Sequence, residues 1–128
     1  MIVQSVLHVD DDIDIRNIVS LSLEAIGRYE VVSCASASEA LIELQGFMPD
    51  VALLDLRMPG LSGEQLFEEL KRRFGSRCFP VIFITAEALE ETEKRLLGMG
   101  ALAVISKPFD PMKLPRQVAA IVENCNRD

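Results

Sequence analysis

The chain is short of long apolar runs, of cysteine and of positive charge, and each shortage excludes something. No hydrophobic stretch approaches the ~20 residues that a membrane-spanning helix needs. The first residues are a brief apolar run followed at once by acids, so no signal peptide is expected. The three cysteines, Cys34, Cys78 and Cys125, are odd in number and far apart. They make neither a disulfide framework nor a zinc knuckle, and read as reduced thiols of a cytoplasmic protein. Basic residues number 13 against 20 acidic ones, for a net charge of −7. Phosphate contacts need a basic surface, so this domain is not expected to bind nucleic acid itself. Low-complexity tracts, repeats and internal linkers are also missing. What remains is a chain of 128 residues, 49% hydrophobic, expected to fold as one domain over 1–128 with a core of its own.

Five short apolar runs punctuate the sequence. They are S-V-L-H-V at 5–9, E-V-V-S-C at 30–34, a run over roughly 50–55 ending V-A-L-L-D, P-V-I-F-I at 80–84 and A-V-I-S at 103–106. Such runs, bounded by turn signals, fit buried strands. Between them lie helical patterns. Ile15, Ile18, Val19, Leu23 and Ile26 recur at three- and four-residue spacing, with Asp12 placed to cap and Gly27 to close. Ala37, Ala40, Leu41 and Leu44 mark a short helix closed by Gly46, and Leu66, Phe67, Leu70 and Phe74 mark one from Ser62. Residues 87–99 predict a charged helix with few apolar positions, and Asp110-Pro111 predicts the start of the last. Strands alternating with helices mean βαβ units, a parallel sheet and helices on both faces. The expected solution is a flavodoxin-like, doubly wound sheet of order 2-1-3-4-5, with ligands at the carboxyl ends of the first and third strands.

Those ends carry the chemistry. The first strand ends in Asp10 and Asp11, the third in Asp55, the fourth in Thr85 and the fifth in Lys107. Three carboxylates at one edge repel unless a cation joins them. Hard oxygen donors suit Mg²⁺, which takes one or two carboxylates and fills its shell with carbonyls, waters and phosphate oxygens. Lys107 is a compact second positive charge, and Thr85 offers a hydroxyl to an anion. A metal, a lysine and a hydroxyl around one carboxylate make an anion-receiving site. A carboxylate nucleophile attacking a phosphoryl group fits that description. Taken singly, each residue has a plainer reading: Asp12 and Asp14 as helix caps, Lys107 as a solvated strand-end lysine, His8 as a structural residue of an apolar central strand.

The motifs V-D-D at 9–11, L-L-D-L-R-M-P-G-L-S-G at 53–63, I-T-A-E at 84–87 and I-S-K-P-F at 105–109 resemble those of two-component response regulator receiver domains, in order and spacing over nearly the whole chain. The resemblance implies phosphorelay signal transduction. Asp55 would be the phospho-acceptor, and Asp10, Asp11, Asp55 and the backbone carbonyl of Arg57 would hold Mg²⁺. Thr85 would be the switch hydroxyl and Lys107 the phosphoryl partner, with a cis Lys107–Pro108 peptide. Pro59, Gly60 and Gly63 would shape the loop after the acceptor. A sensor histidine kinase or phosphotransfer protein would be the donor, approaching near the first helix. The face of the fourth helix, fifth strand and fifth helix would respond, with an output domain or a homodimer as further possibilities. The domain would catalyse only its own phosphorylation and slow dephosphorylation, and so is not classed as an enzyme. Arg57 and Glu87, each two residues past a site residue, would flank the path of the attacking water, or simply pair.

One position departs from the family pattern. Where an aromatic ring is usual, three residues before the lysine, this chain has Val104, which is stiff at χ1 and has no ring to swing. The apolar Ala101–Leu102–Ala103 run is read first as packing under the last helix and second as a contact surface. Two other functions keep a place. One is a receiver-like module that acts without being phosphorylated. The other is a Mg²⁺ phosphatase resembling the haloacid dehalogenase group, since Asp10 and Asp12 have the D-x-D spacing, although there is no room for a substrate cap.

Overall fold

The computed structural model describes residues 3–125. Its five strands are β1 (Ser5–Val9), β2 (Glu30–Cys34), β3 (Val51–Leu54), β4 (Val81–Thr85) and β5 (Ala103–Ser106). All pair in parallel, in the order β2-β1-β3-β4-β5 expected from the alternation. The helices are α1 (Ile13–Leu21), α2 (Ala37–Glu43), α3 (Gly63–Phe74), α4 (Glu90–Gly98) and α5 (Leu114–Cys125). None is long and apolar enough to cross a membrane.

β3 and β4 are buried along their whole length, as strands covered on both faces must be. Alternate side chains feed two cores. Leu7, Val9, Ala52, Leu54, Val81 and Phe83 meet α2, α3 and α4, where Phe67 packs edge-to-face on Phe83 at 5.8 Å. Val6, Val51, Leu53, Ile82 and Ile84 meet α1 and α5. Each such aliphatic side chain contributes about 1.5–3 kcal/mol on burial. The register of β1 on β3 is pinned at the far edge by Asp50, whose carboxylate accepts from the amides of Gln4 and Ser5 at 2.8 and 3.0 Å.

The first helix keeps its expected bounds, Asp12 to Gly27, but changes its winding, and two others start later than expected. α1 runs to Leu21 and then widens into a π-helical turn, Ser22–Ile26, before Gly27 closes it. α4 begins at Glu90 instead of 87, after an extended Leu89 at the N-cap, and the Glu87 N–H in the turn before it donates to the Thr85 hydroxyl. α5 begins at Leu114 instead of Pro111. Asp110 does cap, its carboxylate accepting from the Met112 amide at 2.9 Å, but only a turn follows. Pro115 has no N–H to bond the Pro111 carbonyl. That carbonyl accepts instead from the Ser22 hydroxyl on the π-helical turn, and Tyr29 donates to the Pro115 carbonyl at 3.2 Å.

Val104 is half-buried against the α2–α4 core, and Leu102 and Ala103 pack against the α1–α5 core. The packing reading of residues 101–103 is therefore the one the structure shows.

Candidate functional site at the carboxyl edge of the sheet

β1 delivers Asp10 to the edge fully buried and leaves Asp11 exposed beside it. The Asp10 carboxylate accepts from the Asp12 amide at 2.9 Å, and its backbone carbonyl accepts from Arg16 at 2.8 Å. Sequence reasoning missed Arg16; its signal was its place one turn into the helix that follows the acids. Asp12 caps α1, taking the Asp14 and Ile15 amides. It is committed there, and does not form a catalytic pair with Asp10.

Asp55 stands one residue past β3, 7% exposed, its amide still bonded to the Val9 carbonyl. Its Oδ1 accepts from the Leu56 amide at 3.0 Å. The loop beyond turns through Gly60, at φ +79°, and comes back so closely that a Cβ on Gly63 would sit 2.0 Å from the Asp55 carbonyl oxygen. Ser62 and Gln65 then form a reciprocal cap that starts α3 against the acceptor's own backbone.

From the other flank, β5 brings Lys107, whose amide continues the ladder onto the Thr85 carbonyl at 2.9 Å. Its ammonium reaches Asp10 at 2.8 Å and Asp55 at 3.4 Å. The Lys107–Pro108 peptide is cis. Thr85, buried as the last residue of β4, accepts from the Glu87 amide at 3.0 Å. Arg57 and Glu87 do pair, through two hydrogen bonds of 2.6 and 2.7 Å. Together with Asp55, Thr85, Ala86 and Lys107 they line one open cleft.

Electrostatics bind these groups to one another. Burial raises the Asp55 carboxyl above the usual carboxylate range, and the Asp10 charge adds to it; Lys107 and the Leu56 amide work the other way. Burial alone would push the Lys107 ammonium down, but the Asp10 hydrogen bond and the charges of Asp55 and Asp10 outweigh it and hold it up. One oxygen from each of Asp10, Asp11 and Asp55 lies within 4.8 Å of the others. Three carboxylates against one touching ammonium leave negative charge uncompensated. An all-oxygen set of that size and sign fits a hard divalent cation. His8, next to this cluster in β1, is fully buried with neither ring nitrogen hydrogen-bonded, and burial pushes it down to about 4. It is the neutral, structural histidine expected from its strand.

Asp10, Asp11, Asp55, Thr85 and Lys107 thus stand together at one edge of the sheet, and comparison with known proteins identifies the family. Residues 6–119 match the family model described as the response regulator receiver domain. Over 122 residues the chain is 34% identical to the phosphate regulon transcriptional regulatory protein PhoB of Pseudomonas aeruginosa, covering 95% of this chain and 53% of that protein. It is 37% identical to the response regulator Rre1 of Synechocystis, covering 94% of this chain and 50% of that one. Among solved structures it superposes on the chemotaxis response regulator CheY4 of Vibrio cholerae with a TM-score of 0.83 at 31% identity, covering 93% and 98% of the two chains. The chain belongs to the response regulator receiver domain family, and its fold is the CheY-like flavodoxin fold. It spans about half the length of the curated relatives it matches.

Proposed function

We propose that this domain is a phosphoryl-accepting switch with Asp55 as the acceptor. The observation that carries the reading is the Lys107 ammonium bridging Asp10 and Asp55 beside a third carboxylate, Asp11. The donor is a phosphohistidine on a sensor kinase or phosphotransfer protein. The Asp55 carboxylate attacks phosphorus, the P–N bond breaks, and the imidazole leaves. Asp10, Asp11, Asp55 and the Arg57 carbonyl would hold Mg²⁺, which would supply the positive charge that lets a carboxylate meet a phosphoryl group. Lys107 then turns from Asp10 toward the new phosphoryl oxygens, and Thr85 donates its hydroxyl to them. The domain turns over nothing but its own phosphoryl group. Its three free thiols suit a reducing, cytoplasmic setting.

Exposed apolar side chains beside the cleft favour a protein donor. Ile13 opens α1, Met112 stands in the turn before α5 and Leu61 lies on the acceptor loop, all solvent-exposed at this edge. The response passes to the α4–β5–α5 face, which would engage an output domain or a second copy. The acidic domain itself would not contact nucleic acid.

Intact mass after Mg²⁺ and acetyl phosphate tests the acceptor. A phosphoryl-sized increment on the natural chain, absent from Asp55→Asn, is expected. No increment, or one that survives the substitution, would overturn the assignment.

A further inference from the structure

Something must carry an event at Asp55 to the surface, and Val104 offers little. It is half-buried, and a β-branched side chain has essentially one χ1 choice against its neighbours. A continuous route exists elsewhere. The Thr85 hydroxyl oxygen is held by the Glu87 N–H, and the Glu87 carboxylate is held by the Arg57 guanidinium two residues beyond Asp55. Further along, Arg95 on α4 reaches Glu64 on the first turn of α3 at 3.0 Å. Two ion pairs therefore span the same gap, tying the β4–α4 turn and α4 to the acceptor loop and α3.

At its other end α4 is held by Lys71 of α3, which donates to the carbonyl of its C-cap residue Met99 at 2.8 Å, but its first turn has few holds. The only buried residues of α4 are Thr92 and Leu96, and Leu89 at the N-cap provides no side-chain bond. The three acids in its first turn suit the helix dipole but do not fix its place on the sheet.

We propose that Glu87 is the positioning residue that couples Thr85 to α4. Its backbone holds the Thr85 hydroxyl, and its carboxylate, on Arg57, holds the turn that leads into α4. The inference rests on the phosphoryl-acceptor reading of Asp55. Drawing Thr85 onto a phosphoryl group removes the acceptor of the Glu87 N–H. The turn then re-forms, the Arg57–Glu87 geometry is lost, and α4 is released. The pair is 79% and 36% exposed, so its strength is that of a surface pair. A modest contribution is sufficient here, because a switch between two arrangements of similar free energy responds to small biases.

The test is amide hydrogen exchange over residues 87–98, followed in the natural chain, in Glu87→Ala and in the charge-swapped Arg57→Glu/Glu87→Arg double variant, each with and without acetyl phosphate and Mg²⁺. In the unmodified natural chain this segment should exchange about two- to five-fold more slowly than in Glu87→Ala, the difference narrowing at high salt. The double variant should recover most of the protection, which a merely structural role for Glu87 would not produce. Phosphorylation should speed exchange in the natural chain and change it little in Glu87→Ala. A phosphoryl adduct with equal exchange in natural chain and variant would overturn the coupling and leave the acceptor reading intact. No adduct on the natural chain would overturn the acceptor reading and the coupling with it.

Discussion

The two flanks of the Asp55 cleft are built differently. On one side α3 starts with a reciprocal Ser62–Gln65 cap, buries Gly63, Leu66, Phe67 and Leu70, and rests its first residue on the Asp55 carbonyl. On the other side α4 has no N-terminal side-chain cap and buries only Thr92 and Leu96. Lys71 of α3 donates to its C-cap carbonyl at Met99, and the ties across the cleft are exposed ion pairs, Arg57 to Glu87 in the turn before it and Glu64 to Arg95. Backbone contact and apolar burial are short-ranged and unforgiving; exposed ion pairs are adjustable and screened by salt. A site that must hold a nucleophile still while letting a surface move has use for both. The acceptor is fixed by the first kind of contact and the reporter is set by the second.

The largest effect expected from breaking this contrast lies on the fixed flank. Gly63→Ala would drive a Cβ into the Asp55 carbonyl, and should cost about 3 kcal/mol in denaturant unfolding. No comparable substitution exists on α4, where Gly98 has open space around a built Cβ. Next comes the acid response of β1. His8 has its proton affinity lowered from 6.5 to about 4 by burial, so the unfolded chain binds a proton that the folded chain refuses. Stability should therefore fall as pH drops through that window, by about 3 kcal/mol relative to His8→Leu over the same range. Asp55, whose carboxyl is raised, acts with the opposite sign: its protonation on acidification favours the fold. That contribution is common to both proteins and drops out of the difference. Equal acid limbs would show that His8 is protonated in place.

Smaller effects sharpen the comparison. Ser62→Ala removes the α3 cap and should cost about 1 kcal/mol. Leu89→Ser supplies the missing α4 cap at a residue with N-cap backbone angles and a 66% exposed side chain. It should add about 0.5 kcal/mol, and slow amide exchange in the first turn of α4. If both substitutions are neutral by chemical denaturation, the flanks are equally held.

Most of this was readable before the structure. Runs such as V-A-L-L and V-I-F-I are buried on both faces and bounded by Pro or Asp, so strands and their ends follow from local pattern. Because the carboxyl ends of parallel strands share one edge, Asp10, Asp11, Asp55, Thr85 and Lys107 were found together. Most misses lie where a polar group finds a partner that periodicity does not reveal. The start of α5 slipped because the partner of the Pro111 carbonyl is Ser22, on a helix 89 residues earlier. The start of α4 slipped because the chain stays extended through Leu89, which the charged, weakly periodic 87–99 pattern does not reveal. Arg16 and the Glu64–Arg95 pair were missed as the Ser22 bond was: each is a polar side chain choosing a partner on another element.

The stitching of α1 to α5 has a mechanical consequence. Ser22 and Tyr29 fasten the π-helical turn and the strand behind it to the carbonyls of Pro111 and Pro115, and Gly27 lies so close that a Cβ there would meet the Pro115 side chain at 2.9 Å. The two helices on that face are thereby riveted into one plate. A partner pressing on Ile13 or Met112 pushes against something that does not give. The yielding hinge of the molecule is then on the far side of the sheet, at α4, where a small push is converted into travel.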